Sequence, residues 1–249
     1  MASSLAEWYF VTNNIFDYSK VLKYLYSVQK VEDDYHRSRH LKILNTNKTV
    51  ISVSTAELKN IAKHILKLDY ISYLNSCTFN TYEETIIYGL IVAGLKDIDL
   101  MVKYLNIYVT HIGSWAECDT IVSAMKHFHK YNNKVKYFNH FYNMCFDTRE
   151  YVARFGIVVL MVHYLEEEYI DSVLSMCEKV TTHYYYIDMA IAWLISFAFM
   201  KFKDKTYALL NKRTLTPFIQ NKSICKCRDS YQIDPQDKLN LINYRIKKK

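Results

Sequence analysis

The chain has 249 residues, 51% of them apolar, a formal net charge of +7, and only four glycines and two prolines, Pro217 and Pro235. So few backbone breakers over this length exclude an all-β sandwich or a glycine-rich nucleotide fold and favour helices joined by short polar connections. No window of about 18 uninterrupted apolar residues occurs, and no basic segment followed by an apolar one opens the chain, which predicts a soluble, unexported, cytoplasmic protein.

Taken in order, residues 5–30 place Phe16, Val21, Leu22, Leu25, Tyr26 and Val28 at helical spacing, predicting one or two helices with Trp8 as a packing residue. Residues 31–50 are polar. His36 and His40 there stand one helical turn apart but have no carboxylate companion, so they read as surface residues and not as a metal site. A helix is predicted over about 54–74, opened by Ser54 with Glu57 at the capping-box position. Thr81 and Glu84 open another over about 82–95, with Gly89 and Gly94 where helices approach closely, and a partner helix follows over about 97–109.

The stretch Gly113-Ser-Trp-Ala-Glu-Cys-Asp119 carries the most chemistry. Ser114 with Glu117 is a capping box, so a helix is predicted to begin at Trp115, with Trp115 and Asp119 one turn apart on one face. A carboxylate beside an indole near a helix start suits the stabilisation of a cation. The same pair also fits an interfacial tryptophan beside a solvated aspartate. Further helix starts are predicted at Thr148/Arg149, capped by Asp147 and Glu150, at Tyr184/Tyr185, and at Pro217/Phe218. Starts separated by roughly 33–36 residues, with two helices per unit, are the pattern of a HEAT-type α-solenoid. The expected architecture is therefore an all-α superhelix forming one domain over 1–249, with Trp115, Asp119, Arg154 and Trp193 at related positions along a concave groove.

Charge is unevenly placed. Residues 201–249 hold 13 Lys/Arg against 4 Asp/Glu, while the first 200 residues hold 19 against 21. Between Asp119 and Asp147 there is no acid, yet Lys126, His127, His129, Lys130, Lys134, Lys136 and His140 fall there. Such clusters point to a polyanion, most often nucleic acid, or else to a solvated basic face. Lys126, Lys130, Lys134 and Lys136 are expected along the groove's rim and Lys222, Lys226 and Arg228 at its far end, with the Lys247–Lys249 tail adding nonspecific attraction. Six cysteines at 77, 118, 145, 177, 225 and 227 make no zinc-type spacing, so neither disulfide nor metal is expected. Tyr184-Tyr-Tyr186 reads as helix packing and Glu166-Glu-Glu168 as the acidic first turn of a solvated helix.

Four segments then occur in a recognisable order: Ser114-Trp-x-x-x-Asp119, Tyr151-Val-Ala-Arg154-Phe-Gly-Ile, Tyr185-Tyr-Ile-Asp-Met-Ala-Ile-Ala-Trp193, and Asn221-Lys-Ser-Ile-Cys-Lys-Cys-Arg228-Asp-Ser-Tyr231. Over about residues 50–245 the chain resembles the DNA alkylation repair family of HEAT-like repeat glycosylases, the AlkD-like group. The resemblance implies removal of cationic N3- or N7-alkylated purines from double-stranded DNA without a cofactor and, in a prokaryote, at the nucleoid; a capped solenoid is in addition expected to be a monomer. It implies that Asp119 faces the lesion deoxyribose, that Trp115 and Trp193 contact the lesion nucleotide's sugar and backbone, and that Arg154 binds phosphate. The chain departs from the family in two places. Residues 50–59 lack the Gly/Pro turn frequent among members, and Ala116 stands where some active relatives have a second aromatic residue. Some relatives bind branched DNA without excising bases, so a non-catalytic binder is the alternative expectation. A protein-binding solenoid scaffold is the third.

Overall fold

The computed structural model describes residues 10–12, 15–30, 34–132 and 134–247. It is an all-α helical repeat fold. A two-residue-strand hairpin, β1 (Val11–Thr12) with β2 (Ile15–Phe16), precedes the first helix. The backbone falls into two compact units, 1–131 and 132–249, where the sequence pattern predicts a single domain.

The first unit contains α1 (Tyr18–Ser27), α2 (Asp34–Leu44), α3 (Thr55–Lys67), α4 (Tyr70–Ser76), α5 (Tyr82–Ala93), α6 (Ile98–Tyr108), α7 (Trp115–Ala124) and the single turn α8 (Lys126–His129). The second contains α9 (Val135–Met144), α10 (Glu150–His163), α11 (Ile170–Lys179), α12 (Tyr185–Lys201), α13 (Lys203–Lys212), α14 (Pro217–Asp229) and α15 (Pro235–Asn240). In the first unit α5 packs against both α3 and α7; in the second α12 packs against both α10 and α14, with α13 behind it. A helix flanked on two sides must be apolar on two sides. Accordingly α12 buries ten residues, from Ile187 to Phe199. The starts of α7, α10, α12 and α14 stand 35, 35 and 32 residues apart, which is the expected repeat.

Glycine permits the closest approaches. A Cβ on Gly89 of α5 would lie 2.5 Å from Ile121 Cγ1 of α7 and 2.8 Å from Tyr108 Cζ of α6. One on Gly156 of α10 would lie 2.8 Å from the Phe141 carbonyl oxygen and 2.9 Å from the Cys145 amide nitrogen, so α10 meets the end of α9 backbone to backbone there. The turn before α3 is made without glycine or proline. Ser52 takes a left-handed φ of 73°, and the buried Glu83 carboxylate accepts from the amides of Ile51 (3.0 Å), Ser52 (2.8 Å) and Val53 (3.3 Å), which offsets that strain.

Several local expectations change. The helix predicted over 54–74 is two helices, because Asp69 accepts from the Ser72 amide at 3.1 Å and caps a new start; these Ser72 hydrogen bonds hold the Asp69 carboxyl below its ordinary range. The Thr81/Glu84 capping box forms in full. Asp147 and Glu150 do not cap α10: Asp147 pairs with Arg149, and Glu150 reaches across to α12. Glu166–Glu168 lie in the turn before α11, with Glu166 bonded to Lys134 and Glu167 to Lys205. Among the described residues of 5–30 one helix forms, preceded by the hairpin that contains Phe16; Trp8 lies outside the described residues.

Candidate functional site

The first turn of α7 is fixed from below. Ser114 Oγ accepts from the Glu117 amide at 3.3 Å, the first half of the predicted capping box. The second half differs: the Glu117 carboxylate passes the Ser114 amide and accepts from Gly113 N–H at 2.6 Å and from Ser114 Oγ at 3.2 Å. Glu117 is fully buried, and its other oxygen receives Lys48 Nζ at 2.8 Å. Lys48 also donates to Thr85 Oγ1 at 2.6 Å and to the His111 carbonyl at 2.5 Å. Burial pulls the Lys48 ammonium below the ordinary lysine range, and the Glu117 charge pulls the other way. From α6, the Tyr108 hydroxyl donates to the Glu117 carbonyl at 2.9 Å.

On that base stand the two residues singled out by the sequence. Trp115 is half-buried: its indole packs beside Tyr82 on Leu44, Val50 and Ala116, and its Nε1 donates to the Ile43 carbonyl at 2.8 Å. Asp119, one turn on, is also half-buried, and its carbonyl accepts from Ser123 Oγ at 2.7 Å. A carboxylate and an anchored indole thus stand one turn apart on a helix whose start is held by buried polar contacts. Ala116, 9% exposed, is part of that packing; the position holds no second aromatic surface.

In the second unit Trp193 of α12 is half-buried, with Phe197 edge-on at 5.8 Å and Lys226 Nζ at 6.0 Å from the indole ring. Lys222 stands one turn before Lys226 on α14 and is half-buried. Arg228 does not continue that patch. It lies roughly 200° around the helix from Lys226 and lines a cleft with Asp229, Lys238 and Leu239.

Two basic residues expected to meet phosphate are interior. Arg154 is 5% exposed. Its Nη1 donates to the Tyr186 carbonyl at 2.8 Å, while Glu150, one turn earlier, accepts from the Tyr186 amide at 2.9 Å. The pair grips both backbone groups of one residue in the first turn of α12, and the guanidinium lies 5.9 Å from the Tyr186 ring. Lys134 is 8% exposed. Its ammonium donates to the His163 carbonyl at 2.9 Å and pairs with Glu166, so it satisfies the C-terminal end of α10 and is withdrawn from any rim. Lys126, Lys130 and Lys136 are exposed, with Lys136 Nζ 5.2 Å from the Tyr137 ring.

Sequence reasoning did not find Lys48, Glu83 or the Glu150–Arg154 clamp. Lys48 and Glu83 meet partners 69 and about 30 residues away, and no local periodicity carries that information. Among the described residues no group of three or more His, Cys, Asp or Glu side chains is placed to hold a metal ion, and no helix is long and apolar enough to cross a membrane. Comparison with known proteins returns no matching family model and no matching curated protein.

Proposed function

We propose that this chain is a DNA N-glycosylase that releases cationic N3- or N7-alkylated purines from duplex DNA. The observation that carries the reading is the half-buried Asp119 one turn from the anchored Trp115, on a helix start held by the Lys48–Glu117 pair. The four ordered segments shared with the AlkD-like group supply the substrate class.

An alkylated purine already carries positive charge, so it leaves without a general acid. As the glycosidic bond breaks, its electron pair neutralises the base, and the deoxyribose becomes oxocarbenium-like. Asp119 stabilises that charge and orients the water whose oxygen bonds to C1′, accepting the proton that water gives up. Trp115 adds an indole face to the same cation, worth on the order of 0.5–2 kcal/mol. Positioning matters here because a carboxylate misplaced by about 1 Å loses much of its effect. The exposed Lys126 and Lys130 of the first unit, and Lys136, Trp193, Lys222, Lys226 and Arg228 of the second, are assigned to DNA backbone contact; Arg154 and Lys134 are not.

The test is release of base from a duplex containing N7-methylguanine by the wild type and by Asp119→Asn. Release should fall by about 100-fold or more in the variant, with duplex affinity and thermal stability unchanged. Loss of folding together with release would make Asp119 a structural residue. Firm, salt-sensitive binding of the wild type without any release would assign the chain as a non-catalytic DNA binder.

A further inference from the structure

A second feature lies in the C-terminal segment of the second unit. After α15 the chain forms a 3₁₀ turn, Leu241–Tyr244, and runs back extended beside α14, with Arg245 at φ −66° and ψ 141°. Three polar side chains hold it there. Asn221 Nδ2 donates to the Ile246 carbonyl at 2.8 Å and Asn221 Oδ1 accepts from the Ile246 amide at 2.9 Å, a reciprocal clamp on one residue. Gln220 Nε2 donates to the Tyr244 carbonyl at 2.9 Å. Arg213, in a left-handed conformation (φ 54°) just after α13, donates to the Asn243 carbonyl at 3.2 Å.

Between these elements opens a cleft of about 910 Å³ whose lining includes Arg213, Asn221, Asn243, Arg245 and Lys247, and no carboxylate. The neighbouring Lys212 does not join it, being paired with Glu178 at 3.1 Å. Arg213, Arg245 and Lys247 are all exposed. Arg245 has polyproline-like dihedrals, in which successive side chains turn by about 120° with a rise of about 3.1 Å per residue. Arg245 and Lys247 therefore attach roughly 6 Å apart along the chain and line the cleft together with Arg213. The guanidinium of Arg213 has five N–H donors, of which the bond to Asn243 uses one.

We propose that this cleft is a phosphodiester-binding site, in which Arg213, Arg245 and Lys247 take successive phosphates of a nucleic-acid strand. The inference rests on the DNA reading above and adds phosphate-binding residues that lie outside the four segments of resemblance, apart from Asn221. Three cations with no acid among the lining residues form a local positive potential that a neutral or cationic ligand would not use. The spacing of the attachment points is of the same order as the separation of neighbouring phosphates on a strand. The cleft is also larger than a single free phosphate requires. The clamped backbone fixes where Arg245 and Lys247 are attached before the ligand arrives, which lowers the ordering cost of binding.

The experiment is fluorescence anisotropy of the full chain with a labelled duplex, titrated from low to physiological salt. It compares the wild type, Arg245→Glu/Lys247→Glu, the milder Arg245→Gln/Lys247→Gln, and Lys103→Glu in the first unit as a charge control. The double reversal should weaken binding by about tenfold or more and flatten the log–log salt slope by about 1.8, or roughly 0.9 for each phosphate no longer neutralised. The neutral pair should flatten the slope similarly with a smaller loss of affinity, and Lys103→Glu should do neither. Unchanged affinity and slope in both double variants, with the wild type binding firmly, would overturn the site and leave the glycosylase reading standing. A wild type that does not bind duplex at low salt would overturn both. Base release that disappears in Asp119→Asn while the slope effect persists separates this site from the reacting carboxylate.

Discussion

Lys48 Nζ lies 2.8 Å from Glu117 Oε1, and that single ion pair joins the loop after α2 to the first turn of α7, where Trp115 and Asp119 stand. Glu117 is fully buried and Lys48 nearly so at its side chain, with 15% exposure. Removing one partner therefore leaves a buried charge uncompensated, which costs about 3–5 kcal/mol. Lys48→Met and Glu117→Gln should each lower the denaturant midpoint strongly. The double variant should recover part of the loss, because neither charge is then stranded. Chemical denaturation of all four proteins gives the coupling directly. Equal, additive losses would show that the two residues act independently.

Gly89 and Gly156 predict different penalties for the same added methyl group. At Gly89 the clashing atoms are Ile121 Cγ1 and Cδ1 and Tyr108 Cζ, all on fully buried side chains that must repack together, so Gly89→Ala should cost about 1–3 kcal/mol. At Gly156 they include backbone atoms of Phe141 and Cys145, which cannot move without displacing α9 from α10. Gly156→Ala should therefore be the more damaging substitution, by thermal melting and by loss of amide protection along α9. A smaller effect at Gly156 than at Gly89 would mean that α9 and α10 pack more loosely than their geometry implies.

Much of the fold was legible because its determinants are local. Ser114 and Thr81 each accept from an amide three residues on, and the predicted helix starts at Trp115 and Tyr82 followed from that chemistry. The repeat was legible because each unit reuses it. What the sequence concealed were side chains whose roles are set by distant partners. Arg154 sits in a motif read as phosphate-binding, yet Tyr186 occupies it, 32 residues away. Lys134 belongs to an acid-free basic run, yet the end of α10 and Glu166 occupy it. Charge clustering along a chain reports composition; burial, which decides whether a cation can meet phosphate, depends on tertiary packing. Trp115 and Asp119 were placed correctly relative to each other because they share one helix.

The burial of Arg154 and Lys134 yields a prediction opposite to the one their sequence context suggests. Arg154→Lys cannot bond the Tyr186 carbonyl with the same planar geometry, and Lys134→Met strands the His163 carbonyl and Glu166. Each should cost about 1–3 kcal/mol of stability while leaving the salt slope of duplex binding unchanged. Lys222→Gln, at a half-buried position one turn from Lys226, should do the reverse. Anisotropy across a salt series, paired with a melting curve for each variant, reads both quantities. A slope that flattens in Lys134→Met with stability intact would return that lysine to the DNA-facing surface.

Buried tyrosines set the behaviour of the fold at alkaline pH. Tyr73 and Tyr108 are fully buried, and burial holds their phenols well above the ordinary value near 10. Tyr18, Tyr82, Tyr88 and Tyr164 are raised in the same direction, with burial the largest cause for each. A group whose folded pKa is raised keeps its proton after the unfolded chain has lost it. The stability it contributes is thus complete below pH ~10 and declines as pH rises through and beyond that value. Tyr73 and Tyr108 should each remove about 1.4 kcal/mol per pH unit in that range. Lys48 works the other way, since its lowered pKa lets the folded state shed a proton first, but one lysine opposes several tyrosines. The protein should therefore unfold cooperatively between about pH 10 and 12, with phenolate absorbance from the buried tyrosines rising together with the loss of helical circular dichroism. Phenolate absorbance that reaches its full value while the helical signal persists would show that these rings ionise in place, and that their burial does not govern alkaline stability.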